Sequence, residues 1–494
     1  MPKTIPIFYS ALLLTAVNLL LRFVGTSFQV YLSGVLGAAG IGLLQLTMSV
    51  GSLALVAGIG GVRTASMYLT ADALGRRKPQ NVTWVLSGCF LYSLVCSGSI
   101  GALLYGFAPQ IAGRWIGDIR TIPALQLFAA FLPATCLCAV MTGYFTAANR
   151  IGTLAAVEVA EQLASMAVTM GLLTSWAGSD PGRACLSVIF GSSLGALVTL
   201  CSLVFLRLRQ RPASGPRIPV TRPLLDTAVP LALADVLKSG INTCENLMVP
   251  KRLGRNPRIR DPLAAFGMVS GMVFPVLMFP ACILFGLAEL LIPELARCAA
   301  AGSRDRIRYL VRRGLKASML YGAFFSGLLF LLAETLCLSL YASPEAGRFL
   351  RLYSLLVPML YCDAITDAMT KGLGQQKICV RYNILTSAMD VAFLYVLLPV
   401  YGMEGYFLSF FITHLINFLL SLRRLLKITG ESIPFHVPAF TAAASLASAW
   451  AGSHLPPAAG CLAYGPLLIS GLYLLRIIGR EDLRWLRGLL HTKK

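Results

Sequence analysis

The chain has 494 residues, of which 56% are hydrophobic and 13% are charged, and its formal net charge at pH 7 is +21. Soluble domains carry about 25% charged residues, so the composition excludes an ordinary water-soluble protein, and it assigns the positive excess to loops that face anionic membrane lipid rather than to nucleic acid. The 13 cysteines form no C-x-x-C pair and the 4 histidines are scattered, which argues against a metal site.

Long apolar stretches follow one another from end to end, and a helix that crosses a membrane needs about 20 residues. The sequence therefore predicts an all-α integral membrane protein with about 14 transmembrane helices. We expect them at about 5–33, 38–70, 82–108, 122–148, 152–177, 184–206, 223–250, 263–296, 315–341, 349–371, 380–401, 404–422, 433–452 and 458–478.

Arginine and lysine cluster in every second gap between these stretches, for example at 76–78, 207–222 and 297–313. Basic loops stay in the cytoplasm, so both termini are expected there, in a multi-pass protein of the bacterial cell membrane. One gap breaks the alternation, because Lys251, Arg252, Arg255, Arg258 and Arg260 fall on the outer side. Either the preceding helices have already set the topology, or this loop is a basic rim that meets an anionic ligand.

An internal repeat with a displacement of 225 residues indicates two related halves. Gly42 then aligns with Gly267, and Gly61 aligns with Gly286. Six predicted helices in each copy give both copies the same orientation, as in transporters that bind substrate between two lobes near mid-membrane. The predicted division is an N-terminal six-helix lobe (1–206), a cytoplasmic basic linker (207–222), a C-terminal six-helix lobe (223–428), and two additional helices with a basic tail (429–494).

The seventh predicted helix carries Asp235, Lys238, Asn242 and Glu245, which fall on one helical face. Each charge at the bilayer centre costs about 2.5–3.5 kcal/mol. The face must therefore line a wet cavity and bind substrate, or else its charges pair with each other and join helices.

The first two predicted helices each carry an arginine within an apolar stretch. Arg22 has no acidic residue in its own helix. A guanidinium holds phosphate oxygens in pairs, so Arg22 is a candidate anion site, unless a carboxylate of another helix neutralises it. Arg63 follows Gly60 and Gly61, and it is a candidate substrate contact or a side chain that extends to the interface. Arg252, in the outer basic loop, is a further substrate-binding candidate.

Acidic residues in two other predicted helices are candidates for ion binding or for a gate. Glu158 and Glu161 lie one turn apart, and Asp363, Asp367 and Lys371 follow at successive turns of the tenth helix. Asp235 belongs to the same class of candidates, although structural ion pairs are the more usual outcome. No nucleotide-binding glycine motif occurs, so we expect no cofactor, no resident metal and no enzymatic activity.

Several short motifs, weak alone but in a specific order, resemble the stage V sporulation protein B family of polysaccharide exporters over residues 5–480. This family is similar to the lipid II flippases and belongs to the multidrug/oligosaccharidyl-lipid/polysaccharide superfamily. The motifs are Gly37-Ala-Ala-Gly40-Ile-Gly42-Leu-Leu-Gln45, Gly60-Gly61-Val62, Glu161-Gln162, Val249-Pro250-x-Arg252-Leu253, Leu291-Ile-Pro293-Glu294 and Gly372-Leu-Gly374.

The resemblance implies a two-lobed flippase that carries an undecaprenyl-pyrophosphate-linked saccharide, such as lipid II, from the inner to the outer leaflet. Arg22, with Gly25, matches a cavity arginine of the lipid II flippases, whereas Phe28 and Gln29 replace their Arg-Asp pair. The alternatives are a cation-coupled multidrug antiporter of the same superfamily, a membrane glycosyltransferase or polymer ligase, and a scaffold without transport of its own.

Overall fold

The computed structural model describes residues 7–75, 80–178, 180–209, 219–431, 436–475 and 477. Nearly all of these residues are helical and none lies in a β-strand, which confirms the all-α fold class. The basic residues predicted at 76–78, most of the linker 207–222 and most of the tail fall outside the described residues.

The described residues form 17 α-helices, together with π-helical turns at Ile111–Ile116, Leu173–Ala177 and Met268–Val273. The α-helices are α1 (Ile7–Ile59), α2 (Val62–Gly75), α3 (Gln80–Gln110), α4 (Ile122–Ala147), α5 (Ile151–Leu172), α6 (Pro181–Leu208), α7 (Thr221–Leu253), α8 (Pro262–Gly267), α9 (Phe274–Met278), α10 (Ala281–Ala300), α11 (Arg304–Tyr341), α12 (Pro344–Ser354), α13 (Val357–Gly372), α14 (Gln376–Tyr401), α15 (Met403–Thr429), α16 (His436–Ser453) and α17 (Pro457–Leu474).

Each apolar stretch predicted from the sequence falls on one of these helices or on a group of consecutive ones. Within the described ranges, 8 helices are long and apolar enough to cross a membrane, or up to 10 if each of two bent pairs is one crossing. Helix α7 is not among them, because Asp235, Lys238 and Glu245 lower its hydropathy. The count of about 14 crossings therefore stays a prediction.

Several helices begin at a residue that can cap them. The side chains of Asp180, Asp261 and Ser343 each accept a hydrogen bond from a backbone N–H of the first turn, and a proline follows each of them. Proline suits the first helical position because its missing N–H would have no partner there. In the turn before α4, the Arg120 guanidinium donates to the Asp118 carboxylate and holds the pKa of that carboxyl below its usual range.

Two glycine breaks divide the first membrane segment. Gly37 has φ 68° and ψ 177° inside α1, a backbone conformation that is almost restricted to glycine. Gly60 and Gly61, with φ of 51° and 71°, separate α1 from α2. The Tyr92 hydroxyl donates to the Gly60 carbonyl oxygen at 3.0 Å, which satisfies an acceptor that the break frees.

The chain divides into two compact units, and unit 1 comprises Met1–Gly271 and Val391–Met403. One of its cores joins α2, α3, α4 and α7 through buried Val62, Val85, Val140 and Leu224. At the contact between α1 and α8, Gly42 lies against the backbone of Leu263 and Gly267, and Gly267 lies against the backbone of Ala38 and Gly42. The two glycines that the repeat aligns therefore form one close helix contact.

Unit 2 comprises Met272–Asp390 and Glu404–Lys494. Its longest helix, α11, packs against α12, α13, α16 and α17. The buried Tyr464 of α17 donates its hydroxyl to the Phe324 carbonyl oxygen at 2.9 Å, and Ser445 of α16 donates to the Ala323 carbonyl oxygen at 2.6 Å. The last two described helices are therefore fixed to α11 by buried hydrogen bonds.

Candidate functional site

Helix α7 packs along α1 in unit 1. The Thr243 hydroxyl donates to the Ser49 carbonyl oxygen, and the Asn246 side-chain amide donates to the Ser49 hydroxyl, both at 3.0 Å. At the other end of the contact, Gly61 lies against the backbone of Ala228. Because the numbering rises along α1 while it falls along α7, the two segments are antiparallel.

Of the polar residues predicted on one face of α7, Asp235, Lys238 and Asn242 lie between these two contacts, and Glu245 lies at the first of them. Asp235, Lys238 and Asn242 are exposed, and Glu245 is half-buried. Among the described residues, no ion pair joins Asp235 to Lys238, and the substrate-binding role of this face stays a prediction. The structure places the side chains of Asp235, Lys238 and Asn242 on an open face.

Arg22 and Arg63 also belong to unit 1 and are exposed. Arg22 lies in the part of α1 before the Gly37 break, and its carbonyl oxygen accepts a hydrogen bond from the Thr26 hydroxyl. Arg63 is the second residue of α2, and it lies close enough to Glu158 of α5 to act on it electrostatically. Arg63 therefore has an acidic neighbour in its own unit.

The two glutamates of α5 differ in their partners. Glu161 accepts a hydrogen bond from the Thr199 hydroxyl of α6 at 2.7 Å, and it lies against Gly195 of the same helix. Glu158, one turn earlier, is half-buried and lies near Arg63. Glu161 thus joins α5 to α6, whereas Glu158 faces a cation.

Arg252 lies in the last turn of α7, and its guanidinium carbon is 3.2 Å from the centroid of the Tyr395 ring. Beside it, the Lys251 ammonium donates to the Arg114 carbonyl oxygen in the π-helical turn after α3. Asn256 donates to the Val400 carbonyl oxygen at 3.2 Å. These contacts join the ends of α3, α7 and α14 within unit 1.

In unit 2, the predicted acidic residues of α13 have different surroundings. Asp367 forms an ion pair with Lys371 at 2.6 Å. Asp363 accepts a hydrogen bond from the Asn417 side-chain amide at 3.1 Å, and its other carboxylate oxygen is buried without a hydrogen-bond partner. Asp363 is therefore a half-buried residue with one buried carboxylate oxygen that has unused acceptor capacity.

Sequence reasoning missed Asp390, which is 4% exposed in α14. Its carboxylate accepts hydrogen bonds from the Ser409 and Thr413 hydroxyls of α15. Nearby, the Thr386 hydroxyl is 3.5 Å from the side-chain oxygen of Asn417, the same residue that donates to Asp363. A lone acid within the predicted span 380–401 was the available signal. In the described ranges, no three His, Cys, Asp or Glu side chains form a metal-binding group.

Two family profiles match overlapping parts of the chain. Residues 39–257 match the "Polysaccharide biosynthesis protein" family, and residues 230–396 match MatE. Stage V sporulation protein B of Bacillus subtilis (strain 168) is 20% identical over 420 residues, which are 80% of this chain and 78% of that protein. The chain is homologous to this sporulation protein.

Solved structures show the same fold. The structure of "Lipid II flippase MurJ, inward closed conformation" matches with a TM-score of 0.69 at 14% identity and covers 94% of this chain and 99% of that one. An inward-facing multidrug resistance MATE family transporter of the MOP superfamily matches with a TM-score of 0.64 at 13% identity, over 85% of this chain and 100% of that one. The chain therefore has the fold of these two proteins.

The long apolar helices are those of a multi-pass membrane protein. The two matched structures are of a flippase and a transporter, and neither is of a glycosyltransferase or a ligase. The polar face of α7 and the arginines of α1 and α2 are the candidate elements of a cargo path in unit 1.

Proposed function

We propose that this protein is a transporter of the MOP superfamily and that it moves a polyprenyl-pyrophosphate-linked saccharide from the inner to the outer leaflet of a bacterial cell membrane by alternating access. The proposed cargo is lipid II or a related undecaprenyl-pyrophosphate oligosaccharide. Homology to stage V sporulation protein B and the fold shared with the lipid II flippase MurJ support this cargo class.

The polar face of α7 is the observation that carries the proposal. Asp235, Lys238 and Asn242 are exposed in a helix of 33 residues, long enough to span the hydrocarbon core. A charge that contacts lipid costs about 2.5–3.5 kcal/mol, so a face with this many polar groups is stable only against water or a polar ligand. A sugar-phosphate headgroup is such a ligand.

Each polar residue takes a role suited to its chemistry. Lys238 and Arg22 bind the pyrophosphate, because ammonium and guanidinium groups form charge-assisted hydrogen bonds to phosphate oxygens. Asn242 and Glu245 bind hydroxyl and amide groups of the saccharide, and Asp235 restricts the number of anions that bind near Lys238. Arg63 and Glu158 form a charge pair that opens or closes the path next to the Gly60–Gly61 break.

The membrane potential supplies energy in the required direction if both termini are cytoplasmic. A charge that crosses the whole potential exchanges about 2.3 kcal/mol per 100 mV. With a negative cell interior, the export of two negative charges gains roughly 4–5 kcal/mol by the same relation. The lipid tail remains in the bilayer, so only the headgroup needs a polar path.

Flipping of a defined lipid by the purified protein tests the proposal. We expect proteoliposomes to move lipid II, or another undecaprenyl-pyrophosphate saccharide, between leaflets faster than protein-free liposomes, with a rate that rises under an imposed potential of the correct sign. A folded, monodisperse protein that moves none of these lipids would contradict the proposal. Gradient-driven efflux of organic cations in place of lipid flipping would instead establish the antiporter alternative.

Coupling to a cation is favoured by the buried polar groups of unit 2. Asp363 has an unpaired buried oxygen, and Asp390 lies among hydroxyls. We expect Asp363→Asn to lower the stimulation of transport by a sodium or proton gradient several-fold while transport driven by potential alone remains. Asp305→Asn, which removes a fully exposed carboxylate of unit 2, is the matched control. Unchanged gradient stimulation in Asp363→Asn would exclude this residue.

A further inference from the structure

A cavity of about 520 Å³ lies beside the C-terminal end of α7 in unit 1. One face of α7, from Gly240 through Cys244 and Met248, forms one wall, and Trp115 and Tyr395 stand at the others. Cavities of 300–1,000 Å³ hold small ligands in proteins. The size therefore suits a single phosphate-bearing headgroup.

The polar part of this cavity is strongly basic. Lys251, Arg252 and Arg255 all line it, and none of its described lining residues is acidic. The Tyr395 ring holds the face of the Arg252 guanidinium, which leaves the N–H groups at the guanidinium edge for an acceptor in the ring plane. Lys251 uses one of its three N–H donors on Arg114. The set is suited to an anion with several acceptor oxygens.

A second cavity, of about 500 Å³, adjoins the first and shares Leu53 and Trp115 with it. It lies between α1 and α3, with Val50 and Ala57 on one side and Leu103 and Phe107 on the other. Leu103 is 55% exposed and Phe107 is 50% exposed. Apart from Gln110 and Arg114, the lining of the cleft is apolar, and the cleft is open along its side, as a binding groove for a hydrocarbon chain must be.

The basic residues have a simpler explanation that accounts for only part of these observations. Lys251 and Arg252 lie in the last turn of α7, where cations stabilise a helix dipole. Arg255 lies beyond the helix end, and the dipole does not explain an apolar cleft that continues from the basic cavity. A soluble anion would bind in the basic cavity but would not fill the apolar cleft. A neutral hydrocarbon would fill the cleft but would not bind the cations of the basic cavity.

We propose that unit 1 binds an anionic phospholipid of the surrounding membrane, with its phosphate at Lys251, Arg252 and Arg255 and one acyl chain in the cleft between α1 and α3. This resident lipid is distinct from the transported cargo. The site lies at the end of α7 opposite the linker 207–222, at the side of the membrane on which the five basic residues of this loop interrupt the charge alternation.

Trp115 lines both cavities and provides a direct reporter. The full chain is placed in two kinds of phosphatidylcholine bilayer. One contains a small fraction of phosphatidylglycerol with brominated acyl chains, and the other contains the same fraction of phosphatidylcholine with brominated acyl chains. The contribution of Trp115 is the difference in bromine quenching between wild type and Trp115→Phe. We expect an apparent affinity for the brominated phosphatidylglycerol at least ~10-fold higher than for brominated phosphatidylcholine. Equal quenching by the two lipids overturns the proposal.

Two arginine variants of the same loop separate the site from general surface charge. Arg255→Gln is expected to reduce the preference for phosphatidylglycerol several-fold, whereas Arg258→Gln, which removes an exposed charge outside the cavity, leaves it unchanged. Equal loss in both variants overturns the proposal. Thermal unfolding of each variant verifies that it is folded, and the Lys251→Gln variant repeats the test at a second position.

An excess of undecaprenyl pyrophosphate distinguishes the two sources of lipid phosphate. Failure to displace the brominated phosphatidylglycerol supports a resident phospholipid, and displacement assigns the pocket to the cargo and overturns the proposal. These equilibrium measurements do not involve flipping, so their outcome is independent of the proposed transport function.

Discussion

The Lys238→Gln variant is expected to flip undecaprenyl-pyrophosphate lipids about 10- to 100-fold more slowly than wild type, since hydrogen bonds to charged groups contribute about 1.5–3 kcal/mol. The substitution removes the cation from an exposed face on which Asp235 remains. The remaining carboxylate repels a pyrophosphate, and the variant has no cation at position 238 to offset this repulsion. The slower flipping therefore reflects both the lost attraction and the uncompensated repulsion. Initial flipping rates in proteoliposomes with matched protein content measure the effect.

Two further variants make this result specific. Lys238→Arg keeps the positive charge and is expected to retain most of the activity. Lys377→Gln removes an exposed lysine at the start of α14 in unit 2 and is expected to flip at the wild-type rate. A wild-type rate in Lys238→Gln would contradict a role for this face in binding the headgroup.

Substitution of Gly267 by leucine is expected to destabilise the protein by about 3 kcal/mol or more, at the upper end of the overpacking range. A Cβ atom at this position would overlap the Ala38 carbonyl oxygen and the backbone of Gly42. Backbone atoms have no alternative rotamer, so α1 and α8 would have to separate. Thermal unfolding in detergent and the yield of monodisperse protein measure the loss.

Position 34 provides the matched control. Gly34 is an exposed residue of α1, and a Cβ there would meet no described atom within 4 Å. Gly34→Leu is therefore expected to change the unfolding temperature little, whereas the reciprocal Gly42→Leu behaves like Gly267→Leu. A similar unfolding temperature for Gly34→Leu and Gly267→Leu would show that the contact between α1 and α8 does not limit stability.

Local sequence signals predicted most of the helices because apolar stretches and glycine pairs act over short distances. The break at Gly37 coincides with the gap predicted between the first two helices, and the break at Gly60–Gly61 falls at a glycine pair noted in the sequence. The repeat displacement also aligned Gly42 with Gly267, two residues that turn out to be in contact. Small residues such as these allow two helix backbones to approach closely.

Contacts between distant helices were beyond the reach of sequence reasoning. The spacing of residues along α14 does not reveal that Asp390 meets two hydroxyls of α15, nor that Tyr395 lies over Arg252. Spacing within α7 placed Asp235, Lys238 and Asn242 on one face, but it left open whether the first two pair with each other. Such questions depend on which helices are neighbours, and local periodicity carries no information about that.

The break at Gly37 has a consequence for Arg22. A continuous helix fixes the angle between two side chains by their separation in sequence, at 3.6 residues per turn. The torsion angles of Gly37, φ 68° and ψ 177°, reset that angle. The direction of the Arg22 side chain relative to Ser49, and so to the α7 residues bound there, is therefore governed by the rotation about two bonds of a single residue without a side chain.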